Sequence, residues 1–429
     1  MPPESSLSRR GLLAVVGTSA VAGCSGLDGL TGDQQETIRA YDLPDVDEES
    51  ALEPSVQPSV PVELEESYLK GAQRRTSSLL ESLPLPLGPE HVPNGHIRAD
   101  LTDAAAAATD SLDEARSADT QFAALRALRD ARKRARYAAA GWAFVAEGLT
   151  VDNVRRLYRQ SAAEARSRRG SHAYVGRDPV RATLVLARVE RALELASDGP
   201  TPDASGDRSD LLTVATWGDE AESARALVAD TRHLDAQFTA SLPGDAGTLE
   251  ETIRGAGERL VADVRSRQSS LPPEPTADEW GVEERVLDDL RRGATGGPQR
   301  IADAPGPATA TVDANRRLAS ILALHQVRPR LDADEQQVRR AADVRSLRTN
   351  AYDALQRALD DSPAPELART VVTDAAGRVA SADWELSRVQ GETPVSRFDD
   401  VAAGYLAATA LARATPEACR NTVEALGGS

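Results

Sequence analysis

The chain has 429 residues, with 67 acidic against 50 basic side chains and a formal net charge of −17. Lys70 and Lys133 are its only lysines, the cysteines number two, and Trp, Tyr and Phe together are scarce. A net-acidic chain repels phosphate backbones, two cysteines build no disulfide framework, and few strand-filling residues are available, so a nucleic-acid binder, a disulfide scaffold and a large β-sandwich or barrel are all disfavoured.

The N-terminus carries the pair Arg9-Arg10, an apolar run from Leu12 to Ala22, and then Val21-Ala22-Gly23-Cys24. The run is shorter than the ~20 residues of a bilayer-spanning helix, so residues 1–23 read as a signal peptide. Arg9-Arg10 before Leu12-Leu13 resembles a twin-arginine export signal, and Val-Ala-Gly-Cys resembles a lipobox. The stretch from Ser8 to Cys24 is thereby similar to the leader of exported haloarchaeal lipoproteins, and the acid excess with almost no lysine resembles that of proteins from extreme halophiles. The resemblance implies export, lipidation at Cys24 and a lipid-anchored place on the extracytoplasmic face of the cell membrane. It implies nothing about activity. Residues 24–61 follow, with nine carboxylates, one arginine (Arg39) and four prolines. That composition buries no core of its own, and an extended acidic tether is expected, with Thr37–Tyr41 able to dock locally.

From Val62 onward apolar residues recur at spacings of three and four, as in Val185, Val189, Leu193, Ala196 and in Val344, Leu347, Ala351, Leu355, Leu359. Helices are expected at about 62–82, 96–117, 119–148, 151–169, 179–197, 208–241, 248–269, 277–292, 308–328, 332–360, 364–389, 397–413 and 416–426. Asp178 and Ser362 each precede a proline and suit an N-cap. Short matches recur in order: Leu64-Glu65-Glu66 with Leu249-Glu250-Glu251, Val154-Arg155-Arg156 with Val338-Arg339-Arg340, Ala196-Ser197 with Ala380-Ser381. The expected fold class is all-α, with antiparallel helical bundles at 62–243 and 247–429 related by internal duplication; chance matches in one continuous bundle are the alternative.

Chemistry-bearing motifs are few. None of the five histidines belongs to His-Glu-x-x-His, and none has Glu three residues away, so no metal site, cofactor or catalytic set is assigned. His91 and His96 beside Glu90, and Asp230 with His233, read as exposed loop and helix-surface groups rather than ligands. Glycine-rich phosphate loops and the Gly-x-Ser-x-Gly elbow are missing. Trp142, Trp217, Trp280 and Trp384 read as core anchors, with Tyr137–Phe144 as a hydrophobic centre, and Cys419 as a small buried hydrophobe.

Charge patterning departs from the background. Residues 126–169 hold 12 positive and four negative side chains, net +8, while 198–289 hold 21 acids and eight arginines, net −13. The island comprises Arg126, Arg129, Arg132, Lys133 and Arg136 on one helix and Arg155, Arg156, Arg159, Arg166 and Arg169 on the next. Two readings stay open: the basic helices lie against the acidic ones, or the island is a docking face for an anionic envelope partner. On the second, the protein is a non-enzymatic interaction or scaffold module, and reversing Arg132 and Arg136 to Glu is expected to weaken envelope association without unfolding. The alternative function is a ligand- or metal-binding lipoprotein using a cleft between the two bundles.

Overall fold

The computed structural model describes residues 36–46, 56–198, 209–276, 280–296, 303–331 and 338–428. Arg9, Arg10 and Cys24 lie outside the described residues. Among those described, twelve helices form: α1 Glu66–Glu81, α2 Gly95–Ser117, α3 Gln121–Ala146, α4 Val151–Ser171, α5 Pro179–Asp198, α6 Asp210–Ala240, α7 Glu250–Gln268, α8 Val282–Thr295, α9 Pro307–Leu331, α10 Ala341–Asp360, α11 Pro365–Ser387 and α12 Asp399–Ala425. Side-chain oxygens of Asn94, Thr120, Thr150 and Ser209 cap α2, α3, α4 and α6, satisfying amides that a helix start leaves without partners. Asp178 caps α5 through the amides of Val180 and Arg181. Ser362 does not serve as its counterpart. Helix α11 starts at Pro365, and the Ser362 side chain is buried instead.

Helix α12 also departs from expectation, running through Pro416 where a break between 413 and 416 is predicted. Proline removes one amide donor, but this helix is buried on most sides, and the Thr415 hydroxyl donates to the Leu411 carbonyl at 2.8 Å. Burial against α9, α10 and α11 outweighs the local defect.

The same six-helix pattern occurs twice. In the first half α3 packs on α1, α2 and α6, α6 packs on α4 and α5, and α4 packs on α5. In the second half α9 packs on α7, α8 and α12, α12 packs on α10 and α11, and α10 packs on α11. Corresponding helices start 184 to 190 residues apart, from Glu66 and Glu250 to Val151 and Ala341. Small buried faces make the packing work without aromatics: Ala131, Ala135 and Ala138 on α3, and Ala408, Ala412 and Ala414 on α12, are fully covered. Alanine lets helix axes approach closely while keeping the interior dense.

Thr37–Ser429 forms one compact unit. The halves meet where α5 lies on α9, and Ala182, Val185 and Leu186 share a buried cluster with Ile253, Ala308, Leu367 and Cys419. Burial pushes the Cys419 thiol up to about 12, which leaves it protonated and inert.

The expected tether is corrected where it is described. Strand β1, Thr37–Arg39, pairs antiparallel with β4, Glu392–Pro394, and Ile38 and Val56 are buried in the second half's core. Residues 57–64 then cross to the first half. Gln57 accepts from the Asp119 amide, Thr120 donates to the Pro58 carbonyl at 2.6 Å, and Arg181 donates to the Pro61 carbonyl at 3.0 Å. The acidic composition hides a few apolar residues, Ile38, Val56, Val62 and Leu64, that find covered sites on a preformed surface. A second pair of short strands, Val175–Gly176 (β2) with Gly247–Thr248 (β3), ties the α4–α5 turn to the link between halves.

The tryptophans split. Trp217 is buried, Trp142 is half-buried in a peripheral cluster with Tyr137 and Phe144, and Trp280 and Trp384 are 38% and 59% exposed. The largest buried cluster instead lies in the second half, around α9 and α12.

Candidate functional site

Half of the basic island is turned inward. Helices α3 and α6 run antiparallel, and the basic stripe of one meets the acidic stripe of the other. Arg132, 7% exposed, donates from Nε and a terminal nitrogen to Glu222 Oε1 at 3.1 and 2.8 Å, and Arg75 on α1 holds the other oxygen at 3.0 Å. Arg129 lies 3.1 Å from Asp230, which also accepts from the Tyr68 hydroxyl at 2.7 Å. Lys133 lies 3.5 Å from Asp219 and 3.9 Å from Glu220. Burial lowers the pKa of Arg136, and Arg155 stacks 5.0 Å over Trp217. Arg166 donates to the Ser197 carbonyl and Arg169 pairs with Asp198, both at the end of α5. Arg166 and Arg169 are nonetheless exposed, as are Arg126, Arg156 and Arg159, the last three with no ion pair among the described residues. Arg129, Arg132, Lys133, Arg136 and Arg155 are thereby taken out of the expected docking face, and the other five remain at the surface. A cation taken out of water is stabilised by a carboxylate partner, and α6 supplies Asp230, Glu222 and Asp219 to Arg129, Arg132 and Lys133.

Burial raises the Glu222 carboxyl, but hydrogen bonds and charges from Arg75 and Arg132 outweigh it and hold it below the usual carboxylate range. Asp219 goes the other way. Burial raises it to about 7, with Glu220 adding repulsion and Lys133 only partly offsetting. A folded-state value above the unfolded one means the folded protein holds a proton between about pH 4 and pH 7, so stability falls as pH rises through that window. Asp219→Asn should remove the fall and gain up to about 4 kcal/mol above pH 7, about 1.4 kcal/mol for each pH unit between the unfolded and folded values. Melting curves of both proteins at pH 5 and pH 8 check this; parallel curves would sink it.

His91 lies edge-on to Trp142, His96 is exposed beside Asp100, and His233 stacks on Tyr68 and accepts from the Glu65 amide. Asp230 turns away into the core. Among the described residues no group of three or more His, Cys, Asp or Glu is placed to hold a metal.

A different arginine cluster lines a cavity of about 740 Å³ at the seam between the halves. Arg191 comes from α5, Arg292 from α8, Arg316 and Arg317 from α9, and Arg378 from α11. The carboxylates in the same wall are Asp313 and Asp374, while Arg292 and Arg378 also pair with Asp288 and Asp289 beside it, so the five guanidinium groups meet four carboxylates. Arg191 donates to both oxygens of Asp313 at 2.8 Å. Arg316 donates to the Thr370 carbonyl at 3.1 Å and lies 3.6 Å from Asp313 and from Asp374. Arg378 donates to the Asp374 carbonyl at 3.0 Å and to Asp289. Arg317 reaches the wall because Gly296, which ends α8 at φ +84, has no side chain; a Cβ there would sit 2.5 Å from the guanidinium. That glycine serves both the left-handed backbone and the room for Arg317.

One turn before Arg191, Arg188 stacks 5.0 Å over Phe122, and no ion pair reaches it among the described residues. Burial, with the nearby charges of Arg316, Arg191 and Arg126, lowers its pKa to about 10. A second cavity of about 520 Å³ adjoins the first, with Arg292, Asp374, Gly377 and Arg378 in both walls and Trp280 in the second wall alone.

Residues 67–245 match the family model described as Domain of unknown function (DUF8262), and residues 250–424 match Domain of unknown function (DUF8264). The change from one to the other falls between α6 and α7, at the boundary of the repeated six-helix pattern. No curated protein and no solved structure matches the chain. Sequence reasoning had no motif for this cleft. The available signal was Arg188 and Arg191 on a helix whose other faces, at Ala182–Ala187, Val189, Leu193 and Ala196, are apolar.

Proposed function

We propose that this chain is a binding protein for a small anionic ligand held in the arginine-lined cleft at the seam, and that a lipid on Cys24 keeps it at the outer face of a membrane. The reading assigns it no catalytic step. The supporting observation is the convergence of five guanidinium groups on one cavity with two carboxylates among them and two more beside it. Guanidinium forks pair bidentately with oxyanions, and a cavity of this size suits a small organic molecule. Contacts of this kind persist in molar salt, where longer-range attraction is screened over about 3 Å.

The full chain purified in molar salt should release one small anion per protein on denaturation, identified by mass spectrometry. Adding that anion back at about 100 times its Kd should stabilise the protein by about 2.7 kcal/mol. A folded Arg316→Ala, Arg317→Ala double variant should carry none and show no such shift. A wild-type protein that releases no anion, and whose melting no added anion moves, would overturn the reading.

A further inference from the structure

Two outer faces of the first half carry charge that the fold leaves without partners. On α4, Arg156, Arg159 and Arg166 are exposed, and none has an ion pair among the described residues. On α2, Asp103, Asp110 and Glu114 are exposed and equally without an ion pair there. Arg129 and Arg132 differ, since α6 provides their acids. Within one chain α3 packs on α2 and on α6, and α6 packs on α4, so α3 and α6 stand between the two faces.

The spacings of the two faces match. Asp103 and Asp110 are seven residues apart, as are Arg159 and Arg166, and seven residues take a helix almost twice round and about 10 Å along its axis. With α2 and α4 laid antiparallel, Asp103 faces Arg166 and Asp110 faces Arg159, and Glu114 stands one residue's rise from the level of Arg156. The reverse orientation sets Glu114 level with Gly170, which has no charge to offer it. Small exposed residues flank these pairs, Ala99 and Ala106 on α2 and Ala163 and Gly170 on α4. They let the two backbones approach closely enough for guanidinium forks to reach carboxylates.

We infer that the outer face of α4 in one copy of this chain docks antiparallel on the outer face of α2 in a second copy, pairing Arg166 with Asp103, Arg159 with Asp110 and Arg156 with Glu114. A docked pair keeps one α4 face and one α2 face unused, so the contact is head to tail and adds copies in series. Two copies of net charge −17 repel at a distance, but molar salt screens that repulsion over about 3 Å and leaves contacting pairs in place. Exposed ion pairs are individually weak and two helix faces bury little area, so the contact is transient in dilute solution. Neighbours confined to one membrane by the proposed lipid meet at a far higher effective concentration. The inference is independent of the cleft and its ligand.

The full chain in concentrated solution at molar salt is treated with a carbodiimide, which joins a carboxylate to an amine in direct contact. Lys70 and Lys133 are the only lysines, so Arg159→Lys and Arg166→Lys each add one reporting amine and keep the charge. With light and heavy isotope-labelled protein mixed in equal amounts, mass spectrometry separates links between copies from links within one. The most abundant mixed-isotope links should run from position 159 to Asp110 and from position 166 to Asp103. In the Arg166→Lys protein, Arg159→Asp should cut the link to Asp103 about fivefold or more, and adding Asp110→Arg should restore it, with the melting temperature unchanged throughout. Links confined to single chains, a preference of position 159 for Asp103 over Asp110, or a charge swap that fails to restore the yield overturns the inference. So does protection of the added amine from acetylation by anionic phospholipid vesicles with no link between copies, which assigns the α4 face to a membrane surface instead.

Discussion

Arg132→Glu should leave the protein without a cooperative thermal transition, and not merely detach it from an envelope partner. The reversal sets a second carboxylate group where Glu222 already sits 4% exposed, with Arg75 and, at 3.8 Å, the exposed Arg225 left to balance the two. Removing one partner of a buried pair costs about 3–5 kcal/mol, and reversing its sign costs more. Against a total stability of about 5–15 kcal/mol that is most or all of the margin. Arg132→Met, which keeps the volume and drops the charge, should be destabilised by about 3 kcal/mol yet stay folded. Arg156→Glu, on the exposed face of α4, should fall within about 0.5 kcal/mol of wild type. Circular dichroism melts in molar salt check all three. The pH profile adds a separate mark. Because the Glu222 carboxyl is held below the usual range, its contribution is fully present above the unfolded carboxylate pKa and is lost as pH falls through the lower folded value. Wild type should therefore lose stability on acidification more steeply than Glu222→Gln. An Arg132→Glu protein that melts like wild type would mean that α3 is held on α6 by packing alone.

Periodicity and capping chemistry carried the helices. Val185, Val189, Leu193 and Ala196 recur at helical spacing, and all four are buried on α5; Asp178 before Pro179 caps it as its side chain dictates. The breaks that failed were local signals overruled by burial, as at Pro416 inside α12 and at Ser362, which is buried rather than capping. Partner choice was beyond sequence reach. Arg132 and Glu222 are 90 residues apart, and nothing local says whether a basic stripe meets water or an acidic helix. The tryptophans mislead for the same reason: an aromatic at a helical position fits a core, but only the neighbours of Trp384 decide that it stays 59% exposed. The cleft is the extreme case. Its arginines come from four helices between residues 191 and 378, and Arg191 joins the other four only because α5 of one half lies on α9 of the other.

That seam has its own anchor, and Glu190→Ala should show how much depends on it. Glu190 is 3% exposed on α5, yet no arginine, lysine or histidine pairs with it among the described residues. Its carboxylate accepts instead from the amides of Ala308 and Thr309, at 3.1 and 2.7 Å, and from the Tyr174 hydroxyl at 2.8 Å. Helix α9 starts at Pro307, so one half of the molecule caps the first turn of a central helix in the other, where the helix dipole favours negative charge. Gly306 is cut to fit this contact, since a Cβ on it would lie 2.3 Å from Glu190 Oε1. Alanine at 190 leaves two buried amides and a hydroxyl without partners, at about 1–3 kcal/mol each, of which water entering the gap recovers part; a net loss of about 3–5 kcal/mol is expected. Glu190→Gln keeps an acceptor oxygen and should lose about half as much. The next residue, Arg191, and Asp313 two turns into α9 form a cleft contact that depends on the same register, so anion binding should fall in step with the loss of stability. Amide hydrogen exchange at Ala308–Thr311 should rise by two to three orders of magnitude, since each 1.4 kcal/mol is about a factor of ten in the opening equilibrium. Unchanged exchange there with a wild-type melt would mean that apolar contact between α5 and α9 holds the seam by itself.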